Sequence, residues 1–373
     1  MERTIKAESS GRLISLDAFR GITIASMILV NFPGNEENVY APLNHTHWNG
    51  ITPTDLIAPF FLFIVGVALA FSYTKRLSKG ITPSDLYSRL IWRSVKIYAV
   101  GLFLNVLGLF PDFNFADMRY TGTLPRIAIV FLACGFIFLR TNWKTQAVVA
   151  AVILLGYYLA MNFIPTPGYG KVMLERDINL AQWIDNRFMP GKLYQKVWDP
   201  EGILSTFPSI VTGITGLLAG RLLLSVKSQE YRVIWLFLAG FLSTIAGVIW
   251  NWFFPLNENI WTSSFVLFTS GLASMTLAAS ILLVDILGYR KAAQFGVIYG
   301  MNAIAVYVLA DIIALFFYLI KFGGSSLNEY FFDIFTSLGF EPKFVSMVYS
   351  LIYVWILFIP AYILYRKKIF IKL

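Results

Sequence analysis

Ten runs of about twenty mostly apolar residues dominate the chain, at roughly 13–33, 54–73, 88–109, 123–140, 145–163, 204–225, 231–253, 262–286, 295–320 and 344–365. Twenty residues is the length a helix needs to cross the hydrocarbon of a bilayer. There every backbone N–H and C=O must be satisfied within the segment itself, so each run is expected to be helical. The sequence therefore predicts an all-α polytopic membrane protein of about ten spans, a single transmembrane domain over 1–373. Composition agrees. Only 14% of residues are charged and the mean hydropathy is +0.66, whereas a soluble domain is about a quarter charged.

Basic residues set the orientation, because cytoplasmic loops hold more Lys and Arg. With the N-terminus inside, one face collects most of the 30 basic residues: Arg3, Lys6 and Arg12; the group from Lys75 to Lys96; Arg140 and Lys144; Arg221, Lys227 and Arg232; Arg290 and Lys291; and Arg366, Lys367, Lys368 and Lys372. An even number of spans then places both termini in the cytoplasm. The +9 net charge is thus a topology signal, not a nucleic-acid surface. The first apolar run carries Asp17 and Arg20 and no cleavage site follows it, so a removed signal peptide is not expected. The lone Cys134 lies in an apolar run and excludes an internal disulfide framework.

Between spans, the short link Thr141–Lys144 predicts a tight helical hairpin of the fourth and fifth runs. The longest outer segment is 164–203. Within it "INLAQWIDNRFM" puts Ile178, Ala181, Ile184 and Phe188 at helical spacing, as in a helix lying on a membrane. The near-repeat "ITPTDL" at 51 and "ITPSDL" at 81 reads as two uses of one helix start, with Thr as N-cap, Pro in the first turn and Asp at the third position.

Charges inside spans cost about 2.5–3.5 kcal/mol each and mark functional sites by default. Asp17 and Arg20 stand three apart on the first span and can pair on one helix face, for packing or for function. Arg126 sits near the outer end of the fourth span, Asp55 opens the second, and Asn31 closes the first. Asp285 and Asp311 lie in later runs. The segment 34–52 has no Lys or Arg and contains both histidines of the chain, in "NHTHWNG" (44–50). An imidazole there, between Asn31 and Asp55, suits a general base or an acyl-carrying nucleophile. His-x-His can also hold zinc, with an Asp or Glu as third ligand, or merely close a loop.

The sequence "RLISLDAFRGITIASMILVN" (12–31) followed by "HTHWNGITPTDLIAPFFLFIVG" (45–66) resembles the heparan-α-glucosaminide N-acetyltransferase family. So do "LPRIA" (124–128), "YQKVWDPEGILSTFP" (194–208), "PLNENIWTSSFVL" (255–267) and "YGMNAIAVYV" (299–308), in order. The resemblance implies transfer of an acetyl group from cytoplasmic acetyl-CoA to a sugar amine across the membrane, with no metal. It makes His45 the active histidine and His47 a local variation. It assigns Asn31 and Asp55 to catalysis beside His45. Trp48, Asn49, Asp199 and Glu201 fall to the acceptor, and Arg20, Arg126, Thr262, Ser264 and Asn302 to the cofactor. Three positions depart from the family pattern: Glu258 stands where Lys is common, Pro125 where Gln is, and Lys192 where His is.

The resemblance implies a homodimer with acetyl-CoA, an amino sugar or glycan and the lipid bilayer as partners, and the chain is expected to sit in a bacterial cytoplasmic membrane. The basic loops around Lys75–Lys96 offer an inner landing area for the donor phosphates. The alternatives are an O-acetyltransferase of envelope glycan, which shares fold and donor, and a transporter of a sugar-related solute, which would use the charged spans as a path.

Overall fold

The computed structural model describes residues 13–111, 113–226 and 228–371. Arg3, Lys6, Arg12, Lys227 and Lys372, which entered the charge count, lie outside them. Among the described residues nine helices are long and apolar enough to cross a membrane. These are α1 (Ile14–Asn31), α2 (Ile57–Leu77, extended back to Thr54 by a 3₁₀ turn), α3 (Pro83–Leu107), α4 (Thr123–Arg140), α5 (Trp143–Phe163), α7 (Ile203–Ser225), α8 (Gln229–Asn251), α9 (Ser263–Ser280, continued to Ile286 as a π-helix) and α13 (Pro342–Arg366). The short α6 (Leu180–Phe188) lies in the 164–203 segment. The architecture is all-α and polytopic, as the apolar runs predict.

The run 295–320 is not one straight span. It is α10 (Gln294–Met301) and α11 (Ala303–Ala314, continued to Leu319 as a π-helix), bent by 80° at Asn302. Asn302 holds the bend through the C-terminal tail. Its Nδ2 donates to the Ile369 carbonyl at 3.0 Å and its Oδ1 accepts from the Ile371 N–H at 2.8 Å. After a two-stranded hairpin (β1, Lys321–Phe322; β2, Ser325–Ser326) comes a further helix, α12 (Leu327–Ser337), started by a Ser326–Glu329 capping box. The apolar-run reading passed over it because eleven residues with several polar side chains fall short of a span.

Close helix crossings use glycine, since packing in lipid depends on backbones approaching. Gly21 of α1 lies against Gly296 and Gly300 of α10. A Cβ on Gly21 would come within 1.7 Å of the Gly296 carbonyl oxygen, and one on Gly300 within 1.9 Å of the Asp17 carbonyl. By contrast α8 touches the bundle mainly through α9, and its Ile234, Phe237, Phe241 and Ile245 are exposed, as a lipid-facing stripe requires.

Two local expectations are corrected. Helices α4 and α5 are joined by only Thr141 and Asn142, yet α5 packs against α7 rather than along α4. Arg221 of α7 ties the end of α4 to α7. Its guanidinium donates to the Phe138 and Thr141 carbonyls at 3.1 and 3.0 Å, satisfying the end of α4 from α7. The helix within 164–203 forms, but it packs on protein. Leu180, Ala181, Gln182 and Asp185 are buried and Phe188 is exposed. Asp185 Oδ1 accepts the Ile203 N–H at 2.8 Å and so closes the start of α7.

Candidate active site

The "ITPTDL" and "ITPSDL" starts differ in what their aspartates do. At the second, Thr82 accepts the Asp85 N–H at 3.2 Å on the exposed surface, a plain N-cap. At the first, Asp55 is fully buried. Its Oδ2 accepts from the Thr52 N–H at 2.8 Å and from the Thr46 and Thr52 hydroxyls at 2.5 and 3.2 Å. With Oδ2 fixed by those donors, Oδ1 is aimed at His45 Nδ1, 2.8 Å away.

A second carboxylate meets the same nitrogen. Glu258 Oε2 lies 2.7 Å from His45 Nδ1. It arrives from 213 residues away on the loop between α8 and α9, and that loop is tightly held. The Leu256 N–H donates to Asn251 Oδ1 at 2.8 Å, and Asn257 and Thr262 are joined both by backbone and by the Thr262 hydroxyl. The Thr262 hydroxyl donates to the Pro255 carbonyl and the Ser264 hydroxyl to that of Phe254. Trp261 takes a left-handed φ of 52°, uncommon for a bulky residue. Its indole donates to Thr212 at 3.1 Å while its ring carries the Arg126 guanidinium, 5.1 Å from the centroid.

The "WNG" turn docks the histidine loop on this support. Trp48 Nε1 donates to the Leu174 carbonyl at 3.0 Å, and its ring meets Trp198 edge-on. Asn49 Oδ1 accepts from Asn257 Nδ2 at 3.1 Å. Gly50, at a φ of 116° that suits only glycine well, donates its N–H to the Leu256 carbonyl at 2.9 Å. Three segments distant in sequence therefore meet at one end of the bundle, around a histidine whose side chain is 54% exposed.

The electrostatics follow from that geometry. Burial alone would lower the His45 pKa. Hydrogen bonds to Asp55 and Glu258, and their charges, outweigh it and raise the pKa to about 10. Glu258 moves up to about 7 because burial penalises its charge; His45 opposes the shift and Asp55 adds to it. The Nδ1–H lies between two acids, which fixes the tautomer and leaves Nε2 as the open ring nitrogen.

The structure brings together only part of the expected site. Asn31 ends α1 and is exposed, but the His45 ring is held by Asp55 and Glu258. His47 stands apart, its Nε2 3.4 Å from Arg176. Arg119 takes both Asp199 oxygens, at 2.6 and 2.5 Å, and one Glu201 oxygen at 2.5 Å. The Thr121 hydroxyl and the Tyr194 N–H also donate to Asp199. Arg126 is buried and donates to the Pro200 carbonyl and to Ser205, tying α4 to the start of α7. Thr262, Ser264 and Arg126 thus shape the loop that carries Glu258. The structure adds Glu258 to the site, and its departure from the family lysine was the one sequence signal for it. His45, Asp55 and Glu258 also offer three ligand atoms within 4.8 Å of one another, a donor set different from the His-x-His pair weighed from sequence.

At the other end of the bundle, a cavity of about 410 Å³ is lined by Ile14 and Asp17 of α1, by Arg290, Lys291, Gln294 and Val297, and by Met301 and Tyr365. Arg20 lies beside it, donating to Asp17 and to the Gly300 carbonyl. Asp17 and Arg20 therefore do pair on one helix face. The 18 residues of α1 put about 27 Å between this cavity and the His45 end.

Fold and site together define an all-α polytopic membrane protein with a histidine–carboxylate centre at one end and a basic cavity at the other. Residues 12–248 match the family described as heparan-alpha-glucosaminide N-acetyltransferase, catalytic, and the chain belongs to that family. It is similar to two curated proteins named heparan-alpha-glucosaminide N-acetyltransferase. The one from Homo sapiens is 28% identical over 97% of this chain and 60% of its own length. The one from Mus musculus is 26% identical over 99% of this chain and 61% of its own length. The chain thus spans about 60% of the length of the curated relatives it matches.

Proposed function

We propose that the chain is a transmembrane N-acetyltransferase, moving acetyl from cytoplasmic acetyl-CoA to the amine of a glucosamine-type sugar on the opposite side. The observation that carries this reading is His45, fixed through Nδ1 by Asp55 and Glu258 and half exposed. That arrangement leaves Nε2 as the working nitrogen. It takes the proton of the attacking amine, or carries the acetyl group between donor and acceptor. Asp55 holds the tautomer and stabilises the imidazolium that forms. Asn31, exposed at the end of α1, is the candidate donor to the thioester oxyanion.

Arg290 and Lys291 at the mouth of the far cavity suit the phosphates of acetyl-CoA, and Tyr365 suits its base. This site takes over from the Lys75–Lys96 loop as the favoured entry, because it pairs positive charge with an open cleft. On the His45 side, Trp48, Asn49 and Glu201 border the acceptor, while Asp199 sits beneath them. The reading places both termini in the cytoplasm and the chain, as a homodimer, in a bacterial cytoplasmic membrane.

Purified protein with acetyl-labelled acetyl-CoA, glucosamine and hydroxyl glycans tests the proposal. Label on the amine with wild type, and none with His45→Ala, is the expected result. Label on hydroxyl acceptors alone would replace it with O-acetylation, and no transfer and no acetyl-CoA binding would overturn it.

A further inference from the structure

An amine at neutral pH reaches an enzyme largely as an ammonium. N-acetylation then has two protons to remove: one before the nitrogen can attack, and one after. A hydroxyl acceptor has only one. His45 Nε2 can take one proton per turnover step, so the geometry around it matters. Glu258 lies 2.7 Å from His45 Nδ1 yet keeps 16% of its side chain exposed. Asp55, in contrast, is 1% exposed and its Oδ2 is enclosed by Thr46 and Thr52. Of the two acids on the histidine, Glu258 is the one an acceptor can reach. The groups facing Glu258 are His45 and Asp55, and neither is a fixed cation.

Resting on the acetyl-transfer reading above, we infer that Glu258 recognises the acceptor as an ammonium and takes its first proton. In the balanced step, R–NH₃⁺ gives one proton to the Glu258 carboxylate. The freed amine then bonds to the thioester carbonyl carbon while His45 Nε2 takes the second proton. The C–S bond breaks, and His45 returns its proton to the departing thiolate. The products are amide, thiol and one proton on Glu258, which passes to water. The elevated Glu258 pKa, about 7, matches that exchange, because a general base works best with a pKa near the operating pH. A lysine at this position would repel the same acceptor.

The test compares kcat/KM for two acceptors, glucosamine and a weakly basic amine that is already neutral at pH 7, in wild type and Glu258→Gln. Changes in His45 affect both acceptors alike and cancel in the ratio. The expected result is a fall of about 10-fold in the glucosamine-to-weak-amine ratio near pH 6.5, the ammonium-to-amine ratio about one unit below an ordinary amino-group pKa, recovering as pH rises through the glucosamine pKa. Glu258→Lys should in addition raise KM for glucosamine alone. An equal loss for both acceptors would overturn the inference and leave Glu258 as a residue that only positions His45. No transfer to either amine by wild type would bring down the acetyl-transfer reading itself, and the inference with it.

Discussion

Asn257 donates a hydrogen bond to Asn49 across 208 residues of sequence, at 3.1 Å. That contact, with the Gly50–Leu256 backbone bond beside it, sets the Glu258 loop against the His45 loop. The two carboxylates on His45 thus come from different parts of the chain. Asp55 is ten residues away and held by its own helix start, whereas Glu258 depends on loop docking.

Asn49→Ala should separate those contributions. The loss of one hydrogen bond costs about 0.5–1.5 kcal/mol of stability. The larger effect is on the site: the Glu258 loop loosens and the His45 pKa falls from about 10. NMR titration of labelled imidazole reads this directly, and an unchanged pKa would mean that the Asn257–Asn49 contact does not position Glu258.

His45→Ala should lower acetyl transfer by about 10²–10⁴-fold. His47→Ala should stay within a few-fold, because His47 faces Arg176 and not the two acids. Steady-state assays on the pair distinguish the working histidine from its neighbour. An equal loss in both would mean that the loop, rather than one ring, is required.

Asp55→Asn removes the fixed acid on Nδ1 and should bring the His45 pKa down from about 10 toward its ordinary 6.5. The imidazolium then deprotonates at lower pH, so the acid limb of the pH–rate profile moves to lower pH while the maximal rate falls. Stability follows the same group. A pKa raised above the unfolded value contributes stability that is full below about pH 6.5 and is lost as pH rises toward 10. Thermal melts from pH 6 to 10 should show that decline in wild type and a smaller one in Asp55→Asn.

Arg119→Ala leaves the buried Asp199 without its cation. Breaking a buried pair by removing one partner costs about 3–5 kcal/mol, and the double variant Arg119→Ala/Asp199→Asn should recover part of it. The Arg119 pKa is raised, since Glu201 and Asp199 outweigh its burial, and that of Asp199 is lowered by Arg119 against its own burial. Both shifts mark a pair held in its charged form. A thermal melt unaffected by Arg119→Ala would show that the cluster is not a structural tie.

Chelation checks the proton-holding reading of the His45 centre. With Nδ1 hydrogen-bonded to both acids, EDTA should leave transfer within about two-fold, and added Zn²⁺ should inhibit by displacing the Nδ1 proton. Loss of activity on chelation, restored by a divalent ion, would mean that His45, Asp55 and Glu258 act as ligands.

The sequence by itself determined the helices and the polar residues that interrupt them. Twenty apolar residues without a break permit little else in lipid, and a Thr–Pro–x–Asp helix start is read from four neighbouring residues. It also singled out His45 and Asp55, which share one short segment. It did not decide that one "ITPxDL" aspartate would stay at an exposed helix start while the other turned inward to a histidine. Nor did it decide that α5 would lie on α7, that Asn302 would bend a span around the C-terminal tail, or that Arg119 would occupy Asp199 and Glu201. Each of these rests on contacts between segments tens to hundreds of residues apart, which no local period or cap encodes. Glu258 is the clearest case: its departure from the family lysine was visible in the sequence, but only the docking of two loops put its carboxylate on His45.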